Sequence, residues 1–364
     1  MPRPRVAFVT DADEYGGAEQ YLVLLANALG ALDAVGARYA LSAYVNDRAT
    51  ELADRLRAAG VAVHTVPGLV RLARPGAVVA LAKALRAHRP DVVHVNLTDQ
   101  GDGRGMVAGV WLSRRPMLTT LHNVIPGRTE ARERLSRLVL ARPARRISVS
   151  SMVATYLEAA GLDTVVVENG IAPVVPHPAP RAELGLAPDA LVIGGIGRLH
   201  PQKGWDVLVE AAPAIAADLP GSVLVVVGEG DERARLEARP GAGHVRFVGY
   251  REAASTLVGA FDLLVVPSRY ESFGLVVVEA MLAGVPVVAT AVPGLEGVVG
   301  DAGVLVPPED PEQLAKAVVA LARDPDRRSD LAARGRRRAE ERYGVERMAR
   351  ETAAVYDRLL ASTR

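Results

Sequence analysis

The chain has 364 residues, 49% of them hydrophobic, which suits two ordinary domains rather than one. Its net charge of +1 and pI of about 8.1 supply no global field for nucleic acid. It has no cysteine, which excludes a disulfide framework and thiolate chemistry.

In chain order, short apolar runs predict strands at 5–10, 38–45, 61–66, 92–96, 117–122, 146–150 and 165–168. Amphipathic stretches such as 18–29, 49–59 and 77–87 predict helices between them. That alternation argues for a mainly parallel sheet with helices on both faces. Residues 172–189 carry Pro173, Pro176, Pro178, Pro180 and Pro188 and read as a linker. The alternation restarts with strands at 191–196, 222–227, 244–248, 263–267, 285–290 and 303–306. The expected division is an N-terminal Rossmann-like domain over 1–171, a second over 190–345, and a terminal helix over 346–364. The N-terminal apolar run is too short for a signal peptide, and no stretch reaches the ~20 apolar residues of a membrane span. The cytoplasm is the expected location.

The stretch 267–290, PSRYESFGLVVVEAMLAGVPVVAT, says most about function. It reads strand, polar turn, helix, strand, as in a βαβ unit. Glu271 falls at the carboxyl end of a strand, where open α/β sheets bind ligands. Glu279 falls about two turns into the helix. The apolar side chains of Leu275, Val276, Val277, Val278, Ala280 and Met281 surround it, so a carboxylate there needs a partner. Gly274 lets a ligand approach the backbone, and neighbouring N–H groups can hold an anion.

The segment resembles the donor-site motif of retaining GT-B glycosyltransferases of family 4. Four further motifs carry the same resemblance in the same order. They are Gly16-Gly17-Ala18-Glu19, Thr120-Leu121-His122, Asn169-Gly170-Ile171 and the run from Gly197 to Gly204, GRLHPQKG. The resemblance implies two Rossmann-like domains facing across a cleft, with the last helix returning to the first domain. It implies a nucleoside diphosphate sugar donor, expected to be UDP-linked, and a hexosyl group transferred to an acceptor hydroxyl with retained α configuration. No cofactor and no essential metal are expected.

By the same resemblance, Arg198 and Lys203 hold the leaving diphosphate, as a fork and a point charge. Glu271 meets the transferred sugar and Glu279 both ribose hydroxyls. His122 reaches the sugar or its phosphate. Gly16 and Gly17 leave room for diphosphate or acceptor, in a turn expected to need positive φ. Phe273, Gly274, Leu275, Gly230, Val248 and Tyr250 border the nucleotide. Each residue alone has a plainer reading: surface arginine, solvated lysine, helix-start carboxylate, satisfied core histidine.

Acidic loops at Asp11, Asp13, Glu14, Asp99 and Asp102 point to a polar or amine-bearing acceptor such as an aminocyclitol. Asp11-Ala12-Asp13 matches a metal-binding Asp-x-Asp pattern but sits in a first loop where acceptor or phosphate is expected. Between Arg128 and Arg146 the chain is arginine-rich, as in a basic helix resting on anionic lipid. Glu130 and Glu133 dilute that charge, so at most weak peripheral membrane contact is expected. Gly195-Ile196-Gly197 lacks the third glycine of a dinucleotide fingerprint, where His200 stands. Ala172, Asn96, Leu295 and Glu296 depart from the family pattern, in acceptor and hinge regions. The alternatives are a nucleotide-sugar epimerase of the same fold, a lipid-acceptor enzyme, and a binding-only relative.

Overall fold

Apolar, β-branched runs become thirteen strands among the described residues, all paired in parallel. Strands buried on both faces read this way, and parallel pairing requires a crossover helix between them. The structure, a computed structural model, describes residues 3–32, 38–70, 74–173 and 180–362. It divides into two units, Met1–Gly170 with Val345–Arg364, and Ile171–Gly344.

Unit 1 runs β1 (Arg5–Val9), α1 (Gly17–Ala31), β2 (Ala40–Val45), α2 (Thr50–Ala58), β3 (Ala62–Thr65), α3 (Pro75–His88) and β4 (Val92–Asp99). It continues through α4 (Arg104–Ser113), β5 (Met117–Asn123), α5 (Glu130–Leu140), β6 (Arg145–Ser148), α6 (Ser151–Ala159) and β7 (Val165–Val166). The strand order is β3-β2-β1-β4-β5-β6-β7. The order reverses between β1 and β4, so a crevice opens there at the carboxyl ends. Ser150 caps α6 by accepting from the Val153 N–H at 3.3 Å.

Unit 2 runs α7 (Pro180–Glu183), β8 (Val192–Ile196), α8 (Trp205–Asp218), β9 (Val223–Val227), α9 (Arg233–Glu237), β10 (Val245–Gly249) and β11 (Leu263–Val266). Then come α10 (Leu275–Ala283), β12 (Val287–Thr290), α11 (Pro293–Val299), β13 (Val304–Val306), α12 (Pro311–Ala322) and α13 (Pro325–Arg342). Its order is β10-β9-β8-β11-β12-β13, with the reversal between β8 and β11. Asp310 and Asp324 cap α12 and α13, accepting from Gln313 N and Arg327 N at 2.9 and 2.8 Å.

Part of the expected linker is packed instead. Residues 174–179 lie outside the described residues. Beyond them Leu184 and Leu186 are buried. Arg181 donates to the carbonyl of Ala190 at 2.9 Å and to Asp262 at 2.8 Å. One guanidinium fork satisfying several acceptors fastens a proline-rich stretch that composition alone reads as loose.

The last helix, α14 (Val345–Ala361), belongs to unit 1. Its buried residues Val345, Met348, Ala349, Thr352, Tyr356 and Leu359 recur at helical spacing. It packs on α1 and β4. Tyr356 Oη meets His94 Nδ1 at 2.7 Å, and Tyr39 Oη donates to Asp357 at 3.0 Å. Among the described residues no helix is long and apolar enough to cross a membrane.

Candidate functional site

In unit 2 the loops after β8 and β11 flank the reversal point of the sheet. The first carries Arg198 and a single 3₁₀ turn, Pro201–Lys203. The second carries Arg269, Tyr270 and Glu271. Two hydrogen bonds tie them: Arg269 N to Gln202 O at 2.9 Å, and Gln202 Nε2 to Tyr270 O at 3.0 Å. This brings Lys203 Nζ to 2.6 Å from Glu271 Oε2, in a pair whose side chains are only 22% and 14% exposed. Arg269 anchors the second loop from behind, bonded to Asp206 at 2.7 and 2.9 Å and to Glu309. Those two carboxylates hold the Arg269 pKa above the ordinary value, and Arg269 in turn pulls that of Asp206 down.

Arg198 points outward and makes no side-chain hydrogen bond or ion pair among the described residues. Its carbonyl accepts from Trp205 Nε1 at 2.9 Å, which fixes the backbone below it. The Lys203 stem lies over Gly197: a Cβ there would be 3.7 Å from Lys203 Cε. Lys203 and the guanidinium-bearing residue 198 therefore flank one glycine. Gly230 backs the same loop, and any side chain on it would collide with the Leu199 carbonyl. Leu199 N donates to Glu229 O at 2.8 Å. The loops after β8 and β9 thus continue the sheet's pairing past the strand ends.

Gly274 takes φ 88, the left-handed geometry that glycine adopts without strain. It opens α10, and a Cβ there would press on Leu295 Cδ2 at 2.6 Å and approach Glu271 Cγ at 3.6 Å. The first-turn N–H groups of Leu275 and Val276 have no helical acceptor. Glu279, on the same helix, is partly buried and has no hydrogen bond or ion pair among the described residues. Desolvation alone raises its pKa to about 7. A half-titrated carboxyl without a partner is the kind of group a ligand completes.

Two expected nucleotide contacts change character. Phe273 is 4% exposed and stands edge-on to Tyr343 with centroids 5.5 Å apart, so its ring is core and only its backbone is available. Val248 is half-buried against the core, whereas Tyr250 is 71% exposed beyond the end of β10.

In unit 1 the expected site residues are mostly committed to structure. Gly16 sits at φ −140, and neither it nor Gly17 takes positive φ. Their turn is set instead by Glu19, whose Oε2 accepts from the Gly16 N–H at 3.1 Å. Glu19 is 4% exposed, and burial raises its pKa. His122 Nε2 lies 2.7 Å from Asn96 Oδ1, and its ring meets Tyr21 edge-on with centroids 4.7 Å apart. Asn96 Nδ2 donates to Ala18 O at 3.0 Å, so its oxygen accepts and the His122 proton is on Nε2. Desolvation lowers the His122 pKa to about 3.

Three of the five acidic loop residues are likewise engaged within unit 1. Asp11, Asp99 and Asp102 are 7%, 3% and 7% exposed. Asp11 Oδ2 accepts from Gly103 N at 3.3 Å, and Asp99 Oδ1 from Gly101 N at 2.5 Å. Asp13 and Glu14 remain exposed. Among the described residues no group of three His, Asp or Glu is placed to hold a metal.

The basic stretch is shorter than its sequence suggests. Arg128 is buried against Asp99 at 3.4 Å and Glu133 at 3.7 Å. Arg146 turns back onto the carbonyls of Leu140 and Ala141 at 2.5 and 3.2 Å, closing the carboxyl end of α5. Sequence reading gave no structural role to Gln202, Arg269 or Asn96, which hold the loop of Glu271 and the ring of His122 in place. The only signal for Asn96 was a polar residue inside an apolar strand run.

A family model described as Glycosyltransferase Family 4 matches residues 15–174, and one described as Glycosyl transferases group 1 matches 190–324. A D-inositol 3-phosphate glycosyltransferase of Jonesia denitrificans is 32% identical over 74% of this chain and 72% of its own. A 2-deoxystreptamine N-acetyl-D-glucosaminyltransferase of Streptomyces fradiae is likewise 32% identical, over the same shares. Among solved structures, Anabaena HepE in complex with UDP and glucose superposes with a TM-score of 0.83 at 24% identity, covering 98% of this chain and all of that one. That likeness extends over both units and establishes the GT-B fold.

Proposed function

The chain belongs to glycosyltransferase family 4, and from that premise we propose that it moves a hexosyl group from UDP-sugar to a hydroxyl of a small-molecule acceptor, with retention at the anomeric carbon. The observation that carries this reading is the convergence of the β8 and β11 loops in unit 2. There a Lys203–Glu271 pair and an unengaged Arg198 come together, and the helix that follows carries a partnerless Glu279. An enzyme that expels a diphosphate needs fixed cations where charge develops. Arg198 offers a fork; Lys203 has three N–H donors, of which Glu271 takes one. Glu271, held by that pair, accepts from sugar hydroxyls. Glu279 accepts from two ribose hydroxyls and is thereby satisfied.

In this reading the leaving phosphate oxygen takes the acceptor proton, so no side chain is a general base. His122, neutral near pH 7 because its pKa is depressed, acts as a hydrogen-bond partner through Nδ1. Neither cofactor nor metal is required. The UDP preference is supported by the HepE complex, and the small-molecule acceptor by the two relatives, an inositol 3-phosphate and a 2-deoxystreptamine glycosyltransferase.

The test is a thermal-shift panel of UDP, GDP, ADP and dTDP with and without EDTA, then turnover of UDP-sugars with the anomeric coupling of the product read by NMR. A UDP shift insensitive to EDTA and an α-linked product are expected. No shift from any nucleotide, or a β-linked product, overturns the reading.

A further inference from the structure

Among the described residues, four other than glycine take a left-handed backbone: Arg89, Arg114, Ala253 and Glu309, at φ 49, 61, 50 and 60. Arg89 and Arg114 end α3 and α4, and Ala253 opens the 3₁₀ helix Ala254–Ala260, so each of these turns the chain at a helix end. Glu309 has no such duty, because Asp310 after it caps α12 with its own carboxylate. A side chain in the left-handed region strains the backbone, and the strain persists only where the surroundings impose it. At Glu309 the surroundings are the Arg269 guanidinium.

That guanidinium has five N–H groups, and all five are taken. Nη1 donates to Pro201 O and to Asp206 Oδ1, both at 2.7 Å. Nη2 donates to Asp206 Oδ2 and to Glu309 Oε2, both at 2.9 Å, and Nε donates to Glu309 Oε1. Glu309 thus reaches in from the loop after β13 with both oxygens, although its side chain is 55% exposed. An exposed ion pair is weak when both partners move freely. Here one partner is already held by α8 and by the loop after β8. The Pro201 carbonyl that Arg269 grips also accepts from Gly204 N at 3.2 Å, closing the 3₁₀ turn that ends in Lys203. Two residues beyond Arg269, Glu271 meets Lys203 Nζ. Removing the Glu309 carboxylate frees two of the five donors and leaves the fork without its outer anchor.

We propose that Glu309 is a positioning residue for the donor chemistry: through Arg269 it fixes the Pro201 carbonyl, and with it the approach of Lys203 to Glu271. Its part in sugar transfer rests on the glycosyltransferase reading above; its hold on the Lys203–Glu271 geometry does not. A misplacement of about 1 Å from a change remote from the chemistry is enough to lower turnover steeply. The left-handed backbone gives the proposal a signature. Glycine adopts that backbone without strain, which offsets the loss of an exposed ion pair. Glu309→Gly should therefore lower turnover without lowering stability.

The experiment compares Glu309→Gly and Glu309→Gln with the unmodified full chain. Reductive ¹³C-methylation labels the lysines for NMR. The chain has only Lys83, Lys203 and Lys316, and loss of one signal in Lys203→Arg assigns that residue. The Lys203 signal should move in both Glu309 variants. With a UDP-sugar, kcat should fall about tenfold in Glu309→Gly and about threefold in Glu309→Gln, while KM stays within about twofold. The melting temperature should not fall in Glu309→Gly. A Lys203 signal and kcat at the original values in both variants overturn the proposal. So does a kcat loss seen only together with a lower melting temperature, which marks structural support alone. A raised KM at unchanged kcat overturns it too, since that is lost binding rather than lost positioning. If the unmodified chain turns over no UDP-sugar while the Lys203 signal still depends on Glu309, the glycosyltransferase reading fails and the positioning stands.

Discussion

The two units spend their polar residues in opposite ways. At the reversal point of unit 1, between β1 and β4, the side chains are engaged with one another. His94 bridges Tyr356 and Thr120 at 2.7 Å each, His122 is bonded to Asn96, and Asp99 holds a loop together. At the equivalent place in unit 2, Arg198 and Glu279 have no partner among the described residues, and Lys203 and Glu271 have only each other. The same strand topology yields a rigid polar core in one half and an unsatisfied, charge-bearing surface in the other. Unsatisfied groups are where a ligand gains most, so chemistry is assigned to unit 2 and positioning to unit 1.

The sharpest test separates the two. Arg198→Ala and Lys203→Ala should each lower turnover by about 10²–10³-fold, the usual loss for one preorganised stabiliser of developing charge. Arg198→Ala should leave the melting temperature unchanged, since Arg198 supports nothing, whereas Lys203→Ala strips Glu271 of its partner and should lower it. Asp99→Asn should do the reverse, lowering stability and sparing turnover. A hundredfold drop in turnover for Asp99→Asn at unchanged stability would break the comparison.

The next largest effect is on stability. His94 is fully buried with both ring nitrogens engaged, and Tyr356 anchors α14 through it. His94→Ala should cost about 2–4 kcal/mol, combining a cavity with the lost hydrogen bonds to Tyr356 and Thr120. Denaturant titration of the variant should show the lower midpoint, whereas Arg198→Ala should be superimposable on the parent.

This contrast explains what was legible in the sequence. The strand series was readable because a parallel sheet buried on both faces writes itself as apolar runs, as at 223–227 and 263–266. The places of Glu271, Lys203 and Arg198 in the loops after β11 and β8 were readable because their spacing follows a strand–loop–helix frame. The burial of Asp11, Asp99 and Asp102 was hidden because charge on a loop does not reveal whether a backbone N–H or a distant arginine already satisfies it. Asp99 is engaged by Gly101 and Arg128, 2 and 29 positions away, and only the local one leaves a sequence trace. The packing of Leu184 and Leu186 was hidden because Arg181 reaches Asp262, 81 residues on.

Acid should expose the same asymmetry. Desolvation lowers the His94 pKa to about 3, with the nearby His122 a lesser cause. The unfolded chain binds that proton near pH 6.5, so between about pH 6.5 and 3 unfolding takes up protons and stability falls as pH falls. The loss is on the order of a few kcal/mol for a buried imidazole. Among the described residues, unit 2 has only the exposed His200 and His244. Melting curves from pH 7 to 4.5 should therefore show the transition of unit 1 falling first, and His94→Gln should flatten its slope. Parallel decline of both transitions would contradict the assignment.

The smallest expected effect concerns Glu279, and its sign is opposite. Burial raises this carboxyl to about 7, above the ordinary 4.5. The folded chain keeps a proton that the unfolded chain has released, so stability declines as pH rises from about 4.5 to 7. Above that range the ionised form is held without a partner, at a cost that partial solvent exposure trims to on the order of 1 kcal/mol. Glu279→Gln removes the charge and keeps the shape. At pH 8 the variant should be more stable than the parent by about 1 kcal/mol, and at pH 4.5 the two should coincide. Its UDP affinity should fall about tenfold, because an amide accepts less strongly from ribose hydroxyls than a carboxylate does. Stability gained together with nucleotide affinity lost would mark Glu279 as a group held in strain for its ligand; affinity unchanged would show that the strain serves something other than the ribose.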